Sequence, residues 1–146
     1  MTTSNVLLSV AFLVIGQAGE ASKKELKQLE GTWKILTAEQ LGKKMEPKKI
    51  GIDQVIIKGD RMTLRSGDKD VAEYRIAIDP AKKPKEMDWY NEKAKASLPA
   101  IYALEGAELR LCFPMLKQTA MKRPDRPKSF DTKDSPNGLI VAERAK

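Results

Sequence analysis

The sequence contains no histidine and one cysteine, Cys112, and aromatic residues make up only 5% of its 146 residues. Histidine is the usual general base near neutral pH and the commonest metal ligand, so most hydrolase and metalloenzyme sites are excluded. A single cysteine forms neither an internal disulfide nor a paired thiol site. We expect Cys112 to be a small buried residue on a strand, in a core that is mostly aliphatic.

Short motifs of the common catalytic sites are also missing. The sequence has no Gly-x-Ser-x-Gly, no glycine-rich phosphate loop, no His-Glu-x-x-His and no dinucleotide fingerprint. An enzyme would need an unusual carboxylate base such as Asp88 or Glu73. Carboxylate pairs such as Asp68 and Asp70 lie in turns without the twelve-residue calcium loop. We therefore expect a non-enzymatic protein that uses no metal and no cofactor.

The N-terminal segment resembles a secretion signal. Residues 6–15 form an uncharged apolar run that is too short to span a bilayer but suits a signal-peptide core, although no lysine or arginine precedes it. Small residues allow cleavage after Ala18 or Ala21. The alternative is a buried N-terminal strand or helix. The sequence predicts a signal peptide at 1–21, a folded domain at 22–146, secretion or a periplasmic location, and no transmembrane anchor.

The chain is basic, with 27 lysine and arginine residues against 20 acidic ones and a formal charge of +7. Such a balance suits anionic partners, and it also serves solubility. No basic groove with interleaved aromatic residues is visible, so nucleic acid is not an expected partner. We expect a monomer.

Two periodic patterns of apolar residues, one helical and one of strands, follow the predicted signal peptide. Ser22-Lys-Lys-Glu25 predicts a capping box that opens a short helix ending near Leu29. From residue 32 the pattern alternates with a period of two, which predicts eight short strands. The predicted strands are 32–39, 54–58, 61–65, 71–78, 86–90, 100–104, 108–113 and 139–144, with a loop over 40–52. Tight turns between them require antiparallel pairing, which leaves a closed barrel or a two-sheet sandwich.

Several motifs occur in a specific order along the chain. The Gly31-Thr-Trp33 triplet follows the short helix, and it resembles the Gly-x-Trp motif of the lipocalin and calycin superfamily. The further motifs are Gly59-Asp60, Asp79-Pro80-x-Lys-x-Pro84-Lys85, Ile101-Tyr102, Leu109-x-Leu-Cys-Phe113 and Arg126-Pro127-x-x-Phe130. Together they resemble an uncharacterised lipocalin-like domain family of secreted bacterial proteins that is abundant in Planctomycetes.

This resemblance implies an all-β fold in which an eight-stranded antiparallel meander closes into a lipocalin-like barrel. It also implies that Trp33 closes one end of the barrel beside Gly31. A basic side chain from the last strand covers this tryptophan in the resembling class, and Arg144 is the match here. We therefore expect the Arg144 guanidinium to stack on Trp33.

Candidate ligand-binding residues fall into two groups. The first comprises Met62, Met87, Trp89, Tyr102 and Phe113, which either line a cavity or form plain core. The second lies in the long proline-rich segment 114–137. As a lid, this segment would hold Met115, Leu116 and Met121 over one barrel mouth and bring Arg123 or Arg126 to an anionic headgroup. As a strap, it would pair Arg126 with a carboxylate and insert Phe130 into the core.

Two functions remain open from sequence. One is binding of a small apolar or anionic molecule, which predicts an apolar cavity of roughly 300 Å³ or more. The other is a structural or protein-interaction module of the cell envelope, with a filled barrel and an exposed patch for a partner protein.

Overall fold

The computed structural model describes residues 19–115 and 124–146. Helix α1 covers residues 19–29 and is followed by a succession of strands with one further short helix. The elements after α1 are β1 (Gly31–Gln40), β2 (Lys43–Met45), α2 (Pro47–Ile50), β3 (Gln54–Lys58), β4 (Arg61–Ser66), β5 (Lys69–Asp79), β6 (Lys85–Asn91), β7 (Ala96–Glu105), β8 (Glu108–Pro114) and β9 (Asn137–Arg144).

The strands form a closed barrel. Each strand from β3 to β9 pairs antiparallel with the next, and β1 pairs with both β3 and β9. Eight strands therefore complete the ring, and β2 is a short addition on the far half of β1. The predicted eight-stranded antiparallel barrel with a preceding helix is confirmed, and the β1–β9 pairing rules out the sandwich because a sandwich keeps open edges.

The barrel interior is an apolar core whose side chains come from alternate positions of every barrel strand. Its buried members are Leu29, Trp33, Ile35, Val55, Ile57, Met62, Leu64, Ile76, Met87, Trp89, Ala100, Tyr102, Leu109, Leu111, Ile140 and Ala142. Leu29 comes from α1, so the helix that precedes the barrel also contributes to its core.

Three local features differ from the sequence predictions. Helix α1 already covers residue 19, so Ser22 lies inside the helix and the predicted capping box is wrong. A β-bulge between Ile35 and Thr37 breaks the strict alternation of this strand, so Ala38 is buried while Thr37 is only partly buried. Strand β2 and helix α2 replace the predicted loop. We call residues 40–50, which carry these two elements, the mouth arm.

A second, smaller cluster lies on the outer face of β7, β8 and β9. Ile101, Cys112 and Leu139 are buried there, and Phe130 packs against them. Residues 124–136 therefore cover this face of the barrel as a strap. Cys112 is buried as predicted, with its Sγ 3.5 Å from the Ser129 carbonyl oxygen.

Arg126 fastens the strap to the barrel wall. Its guanidinium donates to the Ala100 carbonyl at 2.8 Å and to Asp88 Oδ1 at 2.7 Å, and it lies 3.5 Å from Glu86 Oε1. The side chain is only 25% exposed. These contacts match the strap alternative, with one difference: Phe130 packs outside the barrel and does not enter the main core.

Replacing Arg126 with alanine is expected to lower the free energy of unfolding by about 1.5–3 kcal/mol, because hydrogen bonds to charged groups in a largely covered site are lost. Arg75→Ala is the matched control, since Arg75 forms ion pairs but is 53% exposed, and it should change stability by at most about 1 kcal/mol. Urea unfolding followed by circular dichroism measures both. Equal effects of the two substitutions would contradict a fastening role for Arg126.

Candidate functional site

The two ends of the barrel are built differently, and β1 runs from one to the other. Trp33 lies near its start beside helix α1, while Ala38 and Gln40 lie near its end beside the mouth arm. The neighbouring β9 runs the opposite way, from Gly138 to Arg144. One end is therefore closed by Trp33 and Arg144, and the other is available for a ligand.

At the closed end, Trp33 is fully buried, and its indole N–H donates to the Leu29 carbonyl at 2.8 Å. The Arg144 guanidinium lies 4.3 Å from the centre of the Trp33 ring, as the sequence predicts. Arg144 also donates to the carbonyls of Glu30 (2.7 Å) and Gln28, which are at the end of α1. One side chain thus covers the indole and ties the helix to the barrel.

Gly31 is required by this arrangement. Its φ is +133°, a region that side chains rarely adopt, and a Cβ at this position would lie 2.9 Å from Arg144 Nη1. The Gly-x-Trp spacing therefore places a residue without a side chain where the guanidinium passes to reach the tryptophan.

Glu25 is the other polar contact between α1 and the barrel. Its carboxylate accepts hydrogen bonds from the Tyr102 hydroxyl and from Lys85 Nζ. Burial, and then the bond to Glu25, raise the pKa of the Tyr102 hydroxyl. Glu25 thus contacts the barrel, whereas the sequence predicted a contact within the helix. Tyr102, a predicted ligand contact, helps to anchor the helix.

Two more predicted ligand contacts belong to the filled part of the barrel. Met62 and Met87 are fully buried in the main core and do not reach the open end of the cavity. This position matches the plain-core alternative for these two residues. Methionine at alternating strand positions serves a core as well as a cavity, and only the depth within the barrel separates the two.

The open end contains an apolar cup of about 320 Å³. Trp89 and Phe113 form part of its wall, with ring centres 5.0 Å apart, and Tyr74 lies 5.6 Å from Trp89. Other apolar side chains in the lining are Ala38, Met45, Ile50, Ile52, Leu64, Leu98, Met115, Leu139 and Ile140. The predicted candidates Trp89, Phe113 and Met115 are therefore brought together here. The volume exceeds the roughly 300 Å³ expected of a binding cavity.

Trp89 carries an unsatisfied hydrogen-bond donor. Its side chain is buried, and its indole N–H has no acceptor among the residues that the structure describes. A buried donor without a partner destabilises a protein by about 1–3 kcal/mol, so such groups are rare and call for an explanation. The nitrogen has almost no accessible surface, so it lies behind the surface of the cup and not on it.

The cup has little charge. Glu39 is the one acidic residue of the described lining, and no lysine or arginine belongs to it. Glu39 also helps to raise the pKa of Cys112, which lies in the outer cluster, so its charge acts on the outer side of the wall. Arg126, predicted to meet an anionic headgroup, is held on the outer face by Asp88, Glu86 and Ala100.

Two predicted contacts, Met121 and Arg123, lie outside the described residues. Of the lining residues that sequence reasoning missed, Leu64 and Tyr74 stand on the inward faces of their strands. Met45, Ile50 and Ile52 belong to the stretch taken as a loop. These three apolar residues in a basic stretch are the sequence feature that indicates burial, since solvated loops rarely contain several of them.

Within residues 19–115 and 124–146, no group of three or more cysteine, aspartate or glutamate residues could hold a metal ion. None of the helices in the same residues combines the length and apolarity needed to cross a bilayer. Comparison of the chain with protein-family models, with curated proteins and with solved structures found no match.

Proposed function

We propose that this protein is a non-enzymatic, lipocalin-like binding protein that is secreted or periplasmic and holds one small, uncharged, mainly apolar molecule in the cup. The observation that carries the proposal is the apolar cavity of about 320 Å³ at the open end of the barrel, with Trp89 and Phe113 in its wall. The volume is near the lower end of the range for small-molecule pockets, about 300–1,000 Å³. A compact molecule fits this volume better than a long chain.

The preference for an uncharged ligand follows from the lining. An ionised group buried without a partner is strongly unfavourable, and the described lining offers no basic side chain to an anion. Of the two ligand types that the sequence left open, apolar and anionic, the lining therefore favours the apolar one.

A binding role is favoured over catalysis because the described cup does not gather acid and base groups. Tyr74 has its pKa raised by burial, which keeps its hydroxyl protonated, and Glu39 is the single lining carboxylate. General acid–base catalysis needs groups that exchange protons near the working pH and converge on one point.

The proposal is tested with 6-propionyl-2-dimethylaminonaphthalene, a neutral fluorescent ketone. We expect saturable binding with a blue-shifted emission and energy transfer from tryptophan. Trp89→Phe should reduce the transfer and weaken binding, because it removes the tryptophan of the cup wall and part of its packing surface. Trp33→Phe, at the closed end of the barrel, should leave the affinity unchanged.

A substitution that fills the cup provides a second test of the proposal. Ala38 lines the cup, and Ala38→Phe is expected to weaken binding at least tenfold, or by about 1.4 kcal/mol. Ala77→Phe adds the same side chain on the exposed face of β5 and serves as the matched control. Circular dichroism checks that both variants are folded. Indistinguishable affinities of the two variants, or no saturable binding, would overturn the cup proposal and favour a structural or interaction module of the cell envelope.

A further inference from the structure

The mouth arm, residues 40–50, has an unusual tip. Leu41 is 64% exposed and has a φ of +53°, and Gly42 follows with a φ of +75°. This left-handed pair suits Asn-Gly or Asp-Gly far better than a leucine. An exposed leucine alone is ordinary, but here both the side chain and the backbone are placed unfavourably within the isolated protein.

The tip is held in place by the strap. The Gly42 amide donates to Thr132 Oγ1 at 3.1 Å, and Thr132 is fully buried. A Cβ on Gly42 would be 3.4 Å from the Lys133 side chain, so the strap passes directly beside the turn. Leu41 is therefore presented from a fixed position.

Positive charge surrounds this apolar tip. Lys43 and Lys44 on β2 and Lys48 and Lys49 on α2 are all exposed. None of these four lysines forms an ion pair with another described residue. With Lys133 they outnumber the exposed carboxylates of the same region, Glu46, Asp131 and Asp134.

The arm is also part of the cup. Met45 and Ile50, each of which directly follows a pair of these lysines in the chain, line the cavity. Met115, which is 40% exposed, lines both the cup and a shallow depression beside Leu41. The basic, apolar-tipped surface therefore borders the opening of the cup.

We infer that the mouth arm docks on an anionic lipid surface, with Leu41 inserted among the lipids and Lys43, Lys44, Lys48 and Lys49 at the headgroups. An apolar side chain projecting beyond a basic rim matches the layering of such a surface, where the headgroups are charged and the interior is apolar. An acidic protein surface would satisfy the lysines but offers no apolar layer for an isolated leucine. The inference does not depend on what occupies the cup.

Co-sedimentation of the full chain with lipid vesicles tests the inference. We expect binding to vesicles of phosphatidylcholine mixed with phosphatidylglycerol, and weaker binding at high salt. Lys43→Gln with Lys44→Gln should reduce binding about 30-fold, since each lysine near an anionic surface contributes about fivefold. The apolar segment 6–15 is common to every variant, and vesicles of phosphatidylcholine alone report its contribution.

Matched controls lie elsewhere on the molecule. Lys23→Gln with Lys24→Gln removes the same charge from α1 at the closed end and should leave most of the binding. Leu41→Ser should weaken binding to the mixed vesicles, while Val71→Ser, at a residue 54% exposed on β5, should not. Equal losses from the two lysine pairs, no effect of Leu41→Ser, or no preference for phosphatidylglycerol would each overturn the inference.

Discussion

Replacing Trp33 with alanine is expected to lower the free energy of unfolding by about 3–5 kcal/mol, the range for removing a large aromatic side chain from a core. The indole is fully buried, donates to the Leu29 carbonyl and lies beneath the Arg144 guanidinium. All three interactions disappear together, and the end of α1 loses one of its contacts with the barrel. Urea unfolding followed by far-ultraviolet circular dichroism measures the effect without relying on tryptophan fluorescence.

Trp33→Phe is the control for this substitution. It keeps a ring beneath Arg144 but removes the indole N–H, so the Leu29 carbonyl loses its partner at a loss of about 1 kcal/mol beyond the change in packing. A loss below about 1 kcal/mol for Trp33→Ala would contradict the closure of the barrel by this residue.

The second large effect is expected at alkaline pH. Burial, with a smaller contribution from the charge of Glu39, raises the pKa of the Cys112 thiol from 9.0 to about 11. Burial and the bond to Glu25 raise the pKa of Tyr102 above its ordinary value of 10.0. Both groups stay protonated in the folded protein after they have ionised in the unfolded chain. Their stabilisation is therefore complete below pH 9 and is lost as the pH rises.

The magnitude follows from 1.36 kcal/mol per pKa unit. Between pH 9 and pH 11, Cys112 should remove about 3 kcal/mol and Tyr102 about 1 kcal/mol, or about 4 kcal/mol together. Urea unfolding at a series of pH values measures the profile. Cys112→Ala should flatten it between pH 9 and pH 10, and Tyr102→Phe should reduce the slope above pH 10. A Cys112→Ala profile parallel to that of the parent would contradict the assignment.

The sequence predicts the barrel well because its main signals are local. Alternation places Val55, Met62 and Ile76 inward on their strands, as the structure has them. Short turns such as Gly59-Asp60 force antiparallel neighbours. The closing contact between Trp33 and Arg144 is far from local, and only the resemblance of the Gly-x-Trp segment to lipocalin-like proteins indicates it.

The mouth of the barrel is predicted poorly because its geometry depends on long-range contacts. The bulge between Ile35 and Thr37 has no mark in the alternating pattern and is seen only through the pairing of β1 with β9. The turn at Leu41 and Gly42 is fixed by Thr132, which is remote in sequence. Consequently the sequence predicts Trp89 and Met115 as ligand-binding residues but does not predict Met45 and Ile50, which also line the cup.

The pairing of β1 with β9 has a consequence for biosynthesis. Glu30 and Arg144, which meet at the closed end, are separated by 114 positions in the chain. During translation the hydrogen-bonding edges of β1 and β8 remain unpaired until β9 has left the ribosome, and unpaired strand edges invite association with other chains. Ring closure is then a late step, because this pairing is among the contacts of longest sequence separation, and such contacts slow folding. A chain shortened before β9 would keep most of its apolar residues but would have no means of closing the ring around them.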